Sequence, residues 1–484
     1  MTVNKYLFIL LIAVILIVLV LNATLSFITV FWSKRDVSRI WAWLVVLVFV
    51  PVIGFVIYWF AGRRISDKKI FDFTSQEIVG REQIRDNQKY YGHHLHLNQK
   101  TSMLVELFEN NSGSILTYGN DLETFFDGRA FFDDLFAEID KAKDHIHLAY
   151  FAISNDVIGN KLVNLLAKKA RQGVEVRVIY DAYGSHGTHL GMYHRLLKAG
   201  GTVYPFLTRR FQLLALRINF RFHRKVVVID GKVGYIGGFN IGDQYLGKSK
   251  RFGNWRDSQL KIIGDSVLSL QSRFFIDWNA TAKKQDKLSF LEDYFPATQV
   301  NGIHPIQIVS SGPDSLTAQI KQGYLKMITL ATKSITIQTP YLIPDQPIYE
   351  SLTIALAAGV KVNIFIPDRP DHPFVYRATQ YYAQEFIDFG ANVYRYDGGF
   401  LHSKLLIIDD EIVSIGSANM DIRSFELSFE ANAFIYSSYF AKKIEKQISI
   451  DISKSKLLSK KDFETQGFWM TVLQKFSRLL SPIL

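Results

Sequence analysis

The stretch His223-Arg-Lys-Val-Val-Val-Ile-Asp230 has a counterpart later in this 484-residue chain, His402-Ser-Lys-Leu-Leu-Ile-Ile-Asp409. Both copies place a Lys two positions after the His, and both place an Asp directly after the apolar run that follows the Lys. In both copies an Asn follows the His by 17 residues, as Asn240 and Asn419. Two copies that also share the distal Asn indicate an internal duplication.

The apolar runs 226–229 and 405–408 predict two short buried strands, because they are rich in aliphatic residues and are bounded by turn signals. Side chains alternate along a strand, so each His shares a face with the Lys two positions later. An imidazole beside an ammonium suits a phosphate, since Lys supplies charge and His supplies a nucleophile or a proton. The candidate catalytic residues are His223, Lys225, Asp230, His402, Lys404 and Asp409.

The two aspartates have a second interpretation. Each has the opposite parity to the His and Lys of its motif, and Asp230-Gly231 is a hairpin-turn signal. The parity favours a role in fixing the turn over contact with a substrate.

Two copies of the motif in a duplicated fold predict one shared phosphoryl-transfer site. One His would attack phosphorus in line, while the other would protonate the leaving oxygen and then act as base for an incoming alcohol. The candidates for holding the non-bridging phosphoryl oxygens are Lys225, Lys404, Asn240 and Asn419. No metal or cofactor is required, since the lysines supply the positive charge.

A nucleophilic His also needs its second ring nitrogen hydrogen-bonded, which fixes the tautomer. Glu430 is the candidate partner for His402, and Asp257 is the candidate partner for His223, although the two spacings differ. We therefore expect each carboxylate to come from the same half as its His.

The double motif resembles that of the phospholipase D superfamily, and the whole chain resembles the bacterial cardiolipin synthases. The synthase resemblance is carried by the apolar segment 42–58 with Gly62-Arg63, by Ser403 and by the stretch 419–425. It implies a metal-free phosphohistidine path in which two phosphatidylglycerol molecules form cardiolipin and glycerol. It also implies His223 as nucleophile and His402 as acid and base, whereas the residues alone permit the reverse.

Strands and helices alternate from about residue 114, and the second half repeats the order of the first. The expected fold is α/β, with two duplicated phospholipase D-like halves whose mixed sheets form one pseudo-two-fold active site behind a two-helix membrane hairpin. The expected divisions are a hairpin at 1–64, a connector at 65–113, halves at 114–285 and 300–450, and an amphipathic C-terminal helix at 464–484.

Composition narrows the classes of partner. The chain has no cysteine, which excludes thiol catalysis, disulfides and a lipoprotein anchor. Its net charge of +11 indicates an anionic partner, either nucleic acid or acidic lipid. The expected partners are phosphatidylglycerol and anionic membrane lipid, with no nucleic acid, and the oligomeric state stays open.

Two apolar segments predict membrane spans, at residues 6–32 and about 40–61. A cleaved signal peptide is the alternative for the first, but its apolar run continues past the weak cleavage residue Ala23. The short link 33–39 carries fewer basic residues than the flanks on the other side, which favours a cytoplasmic catalytic region. The family resemblance implies that the membrane is the bacterial cell membrane.

Two further segments have open interpretations. The segment 209–221 interleaves four arginines with apolar residues, and it could pack on the body or lie at lipid headgroups. The amphipathic tail 468–480 could dock on the protein or bind a membrane interface, and the second is favoured because spans are predicted elsewhere in the chain.

The motif leaves three alternatives to the synthase interpretation. The same residues would serve a lipid hydrolase or a headgroup exchanger. The basic charge also allows a phosphodiesterase acting on nucleic acid, although two spans and an amphipathic tail would place the cleft at a bilayer. A non-catalytic membrane scaffold is disfavoured by two complete motifs.

Overall fold

The computed structural model describes residues 2–31, 37–50, 54, 97–188, 191–206, 220–297, 302–315 and 317–481. The chain divides into two compact units. The first comprises Met1–Ser66 and Arg210–Phe220, and the second, called the body, comprises Asp67–Arg209 and Arg221–Leu484.

The first unit contains two apolar helices, α1 (Thr2–Phe31) and α2 (Val37–Phe49). The Asn22 side chain of α1 donates a 2.9 Å hydrogen bond to the carbonyl of Leu47, which is buried on α2. Among the described residues, one helix is long and apolar enough to cross a membrane, over Lys5–Ile28. Most of the predicted second span beyond Val50 lies outside the described residues.

Within the described ranges the body contains twelve α-helices, interleaved with strands. They are α3 (Gln99–Ser112), α4 (Gly128–Lys141), α5 (Val157–Arg171), α6 (His194–Lys198), α7 (Ser266–Thr281), α8 (Gln319–Leu330), α9 (Gln346–Ala357), α10 (Pro373–Asp388), α11 (Ile422–Glu426), α12 (Ser438–Ser453), α13 (Lys460–Glu464) and, after these, α14 (Phe468–Leu479).

The strands fall into two sets, one from each half. The first set is β1 (Thr117–Asp127), β2 (His145–Tyr150), β3 (Glu175–Tyr180), β4 (Thr202–Pro205), β5 (Arg221–Phe222), β6 (Val226–Ile229), β7 (Val233–Gly237) and β8 (Trp255–Ile263). The second set is β9 (His304–Ser311), β10 (Ser334–Gln338), β11 (Leu342–Ile343), β12 (Lys361–Pro367), β13 (Asn392–Tyr396), β14 (Phe400–Leu401), β15 (Leu405–Ile408), β16 (Ile412–Gly416), β17 (Met420–Asp421), β18 (Ser428–Tyr436) and β19 (Ser455–Leu457).

The two halves repeat one mixed sheet, which confirms the predicted duplication. In the first half the strand order is β4-β3-β2-β6-β7-β8-β1, with parallel pairing among β2, β3 and β4 and antiparallel pairing from β2 onward to β6 and beyond. In the second half β13-β12-β10-β15-β16-β18-β9 repeats the order and the directions. The equivalent edge strands β1 and β9 pair with each other and join the halves.

The predicted motif strands are present and buried. Val226–Ile229 is β6 and Leu405–Ile408 is β15, and every residue of both strands is buried. Each lies at the centre of its sheet because aliphatic side chains on both faces must be covered by helices. The motif is therefore anchored to a fully buried central strand in each half.

The expected connector 65–113 differs from the structure at its end. Residues 99–112 form α3, which starts at the N-cap Asn98 and buries Leu104 and Phe108 completely. The Phe108 ring lies 4.4 Å from that of Phe434 on β18, so α3 is part of the second half's core. Only a few apolar residues on one helix face make this contact, and the polar remainder of the segment hides the pattern.

Two other expectations concern peripheral segments. The arginine-rich segment 209–221 lies almost wholly outside the described residues, which resume at Phe220. The predicted amphipathic tail is the helix α14.

Candidate active site

Both motif histidines are held by strands of the opposite half. Strand β5, just before His223, pairs in parallel with β18 of the second half, and the His223 amide donates to the Phe429 carbonyl at 3.0 Å. Strand β14, just before His402, pairs in parallel with β8 of the first half, and the His402 amide donates to the Arg256 carbonyl at 2.8 Å. These equivalent contacts bring both strand ends to one place.

The side-chain partners of the histidines are also exchanged between halves. His223 Nδ1 lies 2.9 Å from both carboxylate oxygens of Glu430, and His402 Nδ1 lies 2.6 Å from Asp257 Oδ2. The expected pairing, Glu430 with His402 and Asp257 with His223, is therefore wrong. The reason is that β5 and β14 add to the other half's sheet, so each His meets the carboxylate at the start of that half's long strand.

The buried carboxylates set the tautomer of each imidazole. Glu430 and Asp257 are completely buried, and each accepts a hydrogen bond from a neighbour, Ser417 Oγ and the Ser258 amide respectively. An Nδ1–H donated to a carboxylate leaves Nε2 with a free lone pair. Lys404 Nζ also lies 2.6 Å from His402 Nδ1. One ring nitrogen cannot both donate to Asp257 and accept from Lys404. We therefore place the proton on His402 Nδ1, which donates it in a hydrogen bond to Asp257.

Burial keeps both histidines neutral. Burial, and then the positive charge of Lys404, lower the pKa of His402 to about 4. Burial also lowers the pKa of His223, against the opposing effect of Glu430. A neutral imidazole with a free Nε2 is the form that can attack phosphorus or accept a proton.

The two lysines occupy the same site. Lys225 is fully buried and Lys404 is almost fully buried, and each Nζ donates to the carbonyl of its own motif His, at 2.7 Å for Lys225. Burial lowers the pKa of Lys225 to about 7 and that of Lys404 to about 8. Each lysine also lowers the pKa of the other half's His, which shows that the four groups share one electrostatic environment.

The two motif aspartates lie away from this cluster. Asp230 accepts from the amides of residues 143–145 at 2.8–3.0 Å, and Asp409 accepts from the amides of residues 332–334 at 2.7–3.1 Å. Both have positive φ, 53° and 51°, in the hairpins that follow β6 and β15. These contacts do not support the inclusion of the two aspartates among the candidate catalytic residues. Strand parity directs both carboxylates away from the His and Lys of their motif and toward backbone amides beside the hairpin.

The distal asparagines have different surroundings. Asn240 Nδ2 donates to the Tyr245 hydroxyl at 2.9 Å, and its Oδ1 accepts from the Ala152 amide at 3.2 Å. Asn419 Oδ1 is buried and has no hydrogen-bond partner among the described residues. Their predicted contact with phosphoryl oxygens stays a prediction.

The surroundings of the two histidines are not equivalent. The His223 ring packs edge-on against Phe151 at 5.0 Å, and Lys225 Nζ lies 5.2 Å from the same ring. The His402 ring packs against Trp255 at 5.1 Å and Phe400 at 5.9 Å, and it lies 6.5 Å from Tyr341, whose hydroxyl donates to Asp371. Both rings therefore have aromatic neighbours, and the His402 side additionally carries the Tyr341 hydroxyl and the Asp371 carboxylate.

Two buried arginines support the site, and the sequence analysis did not identify either. Arg224 is 1% exposed, donates to Asp277 at 2.5 Å and donates to the Glu430 carbonyl at 3.1 Å. Arg256 binds both carboxylate oxygens of Asp451, at 3.1 and 2.7 Å. Their one signal in the sequence is an arginine directly beside a predicted site residue, Arg224 after His223 and Arg256 before Asp257.

No metal cluster was predicted here. Over the ranges that the structure describes, no group of three or more His, Asp or Glu side chains is placed to hold a metal ion. The positive charge of the described site is carried by Lys225 and Lys404.

Comparison with known proteins assigns the family. The family model described as cardiolipin synthase, phospholipase D-like domain, matches residues 135–252 and 324–452, and a model described as the phospholipase D-nuclease N-terminal region matches 8–63. A cardiolipin synthase of Listeria innocua serovar 6a is 47% identical over 474 residues, which cover 97% of this chain and 98% of that protein. A cardiolipin synthase of Staphylococcus aureus strain Mu50 is 46% identical over 471 residues, which cover 96% and 95%.

A solved structure shows the same fold. The phosphatidylserine synthase of Haemophilus influenzae Rd KW20 superposes with a TM-score of 0.62 at 16% identity, over 79% of this chain and 100% of its own. The duplicated motif and the shared fold agree with the sequence identity to the two cardiolipin synthases, which extends over nearly the whole chain. The chain belongs to the cardiolipin synthases, membrane-associated enzymes of the phospholipase D superfamily.

Proposed function

We propose that this enzyme joins two phosphatidylglycerol molecules into cardiolipin and releases glycerol, through a phosphatidyl-histidine intermediate. The observation that carries the proposal is the convergence of two neutral histidines, each fixed by a buried carboxylate, with two buried lysines. Such a site can supply a nucleophile, a proton donor and charge for a phosphodiester at the same time.

In the first step, His223 Nε2 attacks the phosphorus of one phosphatidylglycerol. A nitrogen–phosphorus bond forms, the bond to the headgroup glycerol oxygen breaks, and a protonated His402 gives its Nε2 proton to that oxygen. The anionic phosphodiester favours the protonated His402, because a nearby negative charge raises a histidine pKa. Lys225 and Lys404 hold the non-bridging oxygens as charge develops.

In the second step, the headgroup hydroxyl of another phosphatidylglycerol replaces glycerol. His402 accepts the hydroxyl proton, the oxygen attacks phosphorus, and the nitrogen–phosphorus bond to His223 breaks. The product carries two phosphatidyl groups on one glycerol, and His223 returns to its neutral form.

The unequal surroundings support this assignment of roles. Phe151 beside His223 offers no group that could donate to a polyol. Tyr341 and Asp371 on the His402 side offer polar atoms where a glycerol headgroup must leave and enter. The acid and base should lie on the side that handles hydroxyl groups.

The decisive experiment is a product assay. Purified enzyme in mixed micelles receives phosphatidylglycerol, after which the lipids are separated and glycerol is measured. Cardiolipin with an equal amount of glycerol, absent in His402→Ala, is the expected result. Phosphatidic acid without cardiolipin would show that water resolves the intermediate, and it would make the protein a lipid hydrolase.

We also propose that two N-terminal spans, α1 and the segment 40–61, hold the enzyme in the bacterial cell membrane, with the body in the cytoplasm. The apolar character of α1 and the family match over residues 8–63 support the anchor. The distribution of basic residues supports the orientation.

A further inference from the structure

Helix α14 presents its apolar side chains to solvent. Phe468, Trp469 and Leu479 are 74%, 76% and 75% exposed, and Phe476 is 50% exposed. In a helix that covers a protein core, residues of this kind face inward. Within the described part of the chain, nothing covers this face.

The polar side of α14 is the side that docks on the body. Gln474 is 3% exposed and Ser477 is fully buried, and Gln474 Nε2 donates to Gln466 Oε1 at 2.8 Å. The Arg478 guanidinium lies 4.9 Å from the ring centre of Tyr381 on α10, and the Ser481 hydroxyl lies 3.5 Å from that of Tyr382. The helix is therefore held in a fixed orientation with its apolar face outward.

The charges of this segment fit an anionic lipid surface. Residues 465–481 contain Lys475 and Arg478 and no acidic residue. Both cations are exposed. Lys475 lies beside the apolar face, where headgroup phosphates would be, whereas Arg478 covers the Tyr381 ring. Phe468 and Trp469, at the start of the helix, are side chains that concentrate at membrane interfaces.

A second copy of the chain fits this face less well. A two-fold contact would place the same surface on both copies, so the cations of one copy would face a helix that carries the same cations. The helix carries no acidic side chain to pair with them. A bilayer containing anionic lipid has no such conflict.

We infer that α14 lies in the interface of an anionic bilayer, with Phe468, Val472, Phe476 and Leu479 among the acyl chains and Lys475 at the headgroups. This is a contact of the body itself, additional to the apolar N-terminal helix. It goes beyond the proposed reaction and does not depend on it.

The inferred contact has a structural route to the active site. Helix α10 starts at Pro373, two residues after Asp371, which accepts from Tyr341 beside His402. The same helix carries Tyr381 and Tyr382, on which α14 docks. A lipid-bound α14 would therefore fix the depth at which this side of the active site meets the bilayer.

A spectroscopic test measures the contact without using activity. Because the chain has no cysteine, Val472→Cys provides a single site for an environment-sensitive fluorophore. Lys141→Cys, at a side chain that is 69% exposed on α4, provides the matched control. The full-length variants are reconstituted in vesicles that contain phosphatidylglycerol and a lipid with a quencher on its acyl chain.

We expect strong quenching by the lipid at position 472 and none at position 141. Equal access of aqueous iodide to both positions would overturn the inference. A second result would also overturn it. If position 472 is protected from both quenchers, and this protection disappears when vesicles hold less than one copy on average, the apolar face contacts another copy of the chain and not lipid.

A kinetic test uses the triple variant Phe468→Ser, Val472→Ser and Phe476→Ser. All three side chains are exposed, so the fold should be retained, which an unchanged melting temperature would show. We expect the KM for phosphatidylglycerol in mixed micelles to rise about tenfold or more with little change in kcat, because apolar contact with the lipid surface is lost. Val157→Ser, at an apolar side chain that is 67% exposed on α5, is the control.

An unchanged KM in the triple variant would contradict the inferred role of the contact. The two tests separate the inference from the proposed reaction. If the wild-type enzyme forms no cardiolipin, the quenching experiment still reports whether α14 contacts lipid.

Discussion

His223 and Glu430 are 207 residues apart in sequence, yet His223 Nδ1 lies 2.9 Å from the Glu430 carboxylate. The equivalent contact joins His402 to Asp257 in the opposite direction. Neither half therefore contains a complete histidine–carboxylate pair, and each needs the other to orient its catalytic imidazole. This exchange gives a reason for the two halves to remain in one chain.

Replacing Glu430 by Gln should slow the reaction far more than it destabilises the protein. The Gln amide N–H can donate to His223 Nδ1, which favours the tautomer that is protonated on Nε2 and therefore has no free lone pair there. We expect kcat to fall by on the order of 10²- to 10⁴-fold. Steady-state kinetics and the melting temperature give the two readouts.

The control for this prediction is Glu464→Gln, at an exposed residue of α13. A positioning role also predicts that labelling of the enzyme by radioactive phosphatidyl donor slows in Glu430→Gln, since the proposed intermediate forms on His223. Normal labelling with normal turnover would contradict the assignment of Glu430 to His223.

A donor with a good leaving group should distinguish the two histidines. Phosphatidyl-p-nitrophenol needs no proton on its leaving oxygen, so His402→Ala should still release one equivalent of nitrophenol per enzyme. His223→Ala lacks the nucleophile and should show no burst. Stopped-flow absorbance measures both, and a burst in His223→Ala alone would reverse the roles.

The lysines predict a loss of substrate affinity as the pH rises. Burial lowers the pKa of Lys225 to about 7 and that of Lys404 to about 8, so both are charged below these values and lose their protons above them. An uncharged lysine cannot attract the phosphodiester, so kcat/KM for phosphatidylglycerol should decline as the pH rises through about 7 to 8.

Lys225→Arg provides the matched variant for the pH profile. A guanidinium stays charged throughout this range, so the decline that comes from position 225 should disappear even if the overall rate is lower. A wild-type kcat/KM that is constant or rises between these pH values would contradict the prediction, because it would show that substrate capture does not depend on lysines that lose their protons in this range.

The buried ion pair Arg256–Asp451 should be important for stability. Both side chains are buried, and Arg256 also donates to the carbonyl of Asp257, the partner of His402. Asp451→Asn leaves a buried, unpaired guanidinium, which should cost about 3–5 kcal/mol. Chemical unfolding in detergent micelles measures the change.

The exposed pair Lys168–Asp140 is the comparison. Asp140→Asn removes a 2.7 Å contact between two solvent-exposed side chains and should leave the unfolding midpoint unchanged. Equal effects of the two substitutions would mean that burial does not strengthen the Arg256–Asp451 pair.

The proposed topology predicts which residues are reached from outside the cell. Since the native chain has no cysteine, Ser33→Cys and Lys141→Cys each create one thiol. A membrane-impermeant maleimide added to intact cells should label position 33 and not position 141. The opposite pattern would place the body outside the cytoplasm, while labelling of neither position until the cells are lysed would put both on the inside.

The sequence by itself determined the local structure of the motif. Val226–Ile229 and Leu405–Ile408 are buried strands because aliphatic residues repeat there, and strand parity separates Asp230 and Asp409 from the His and Lys of each motif. The duplication was also readable, because equal spacings to Asn240 and Asn419 need no knowledge of the fold.

Only the tertiary structure decided which groups meet. The two-residue strands β5 and β14 pair with the opposite half, and no local pattern encodes contacts between residues that are 207 or 145 positions apart. The helix α14 follows the same rule. Its periodicity shows which side chains share a face, but the packing of Gln474 and Ser477 on the body decides that the apolar face points outward. Periodicity is a property of neighbouring residues, whereas pairing depends on the packing of the whole chain.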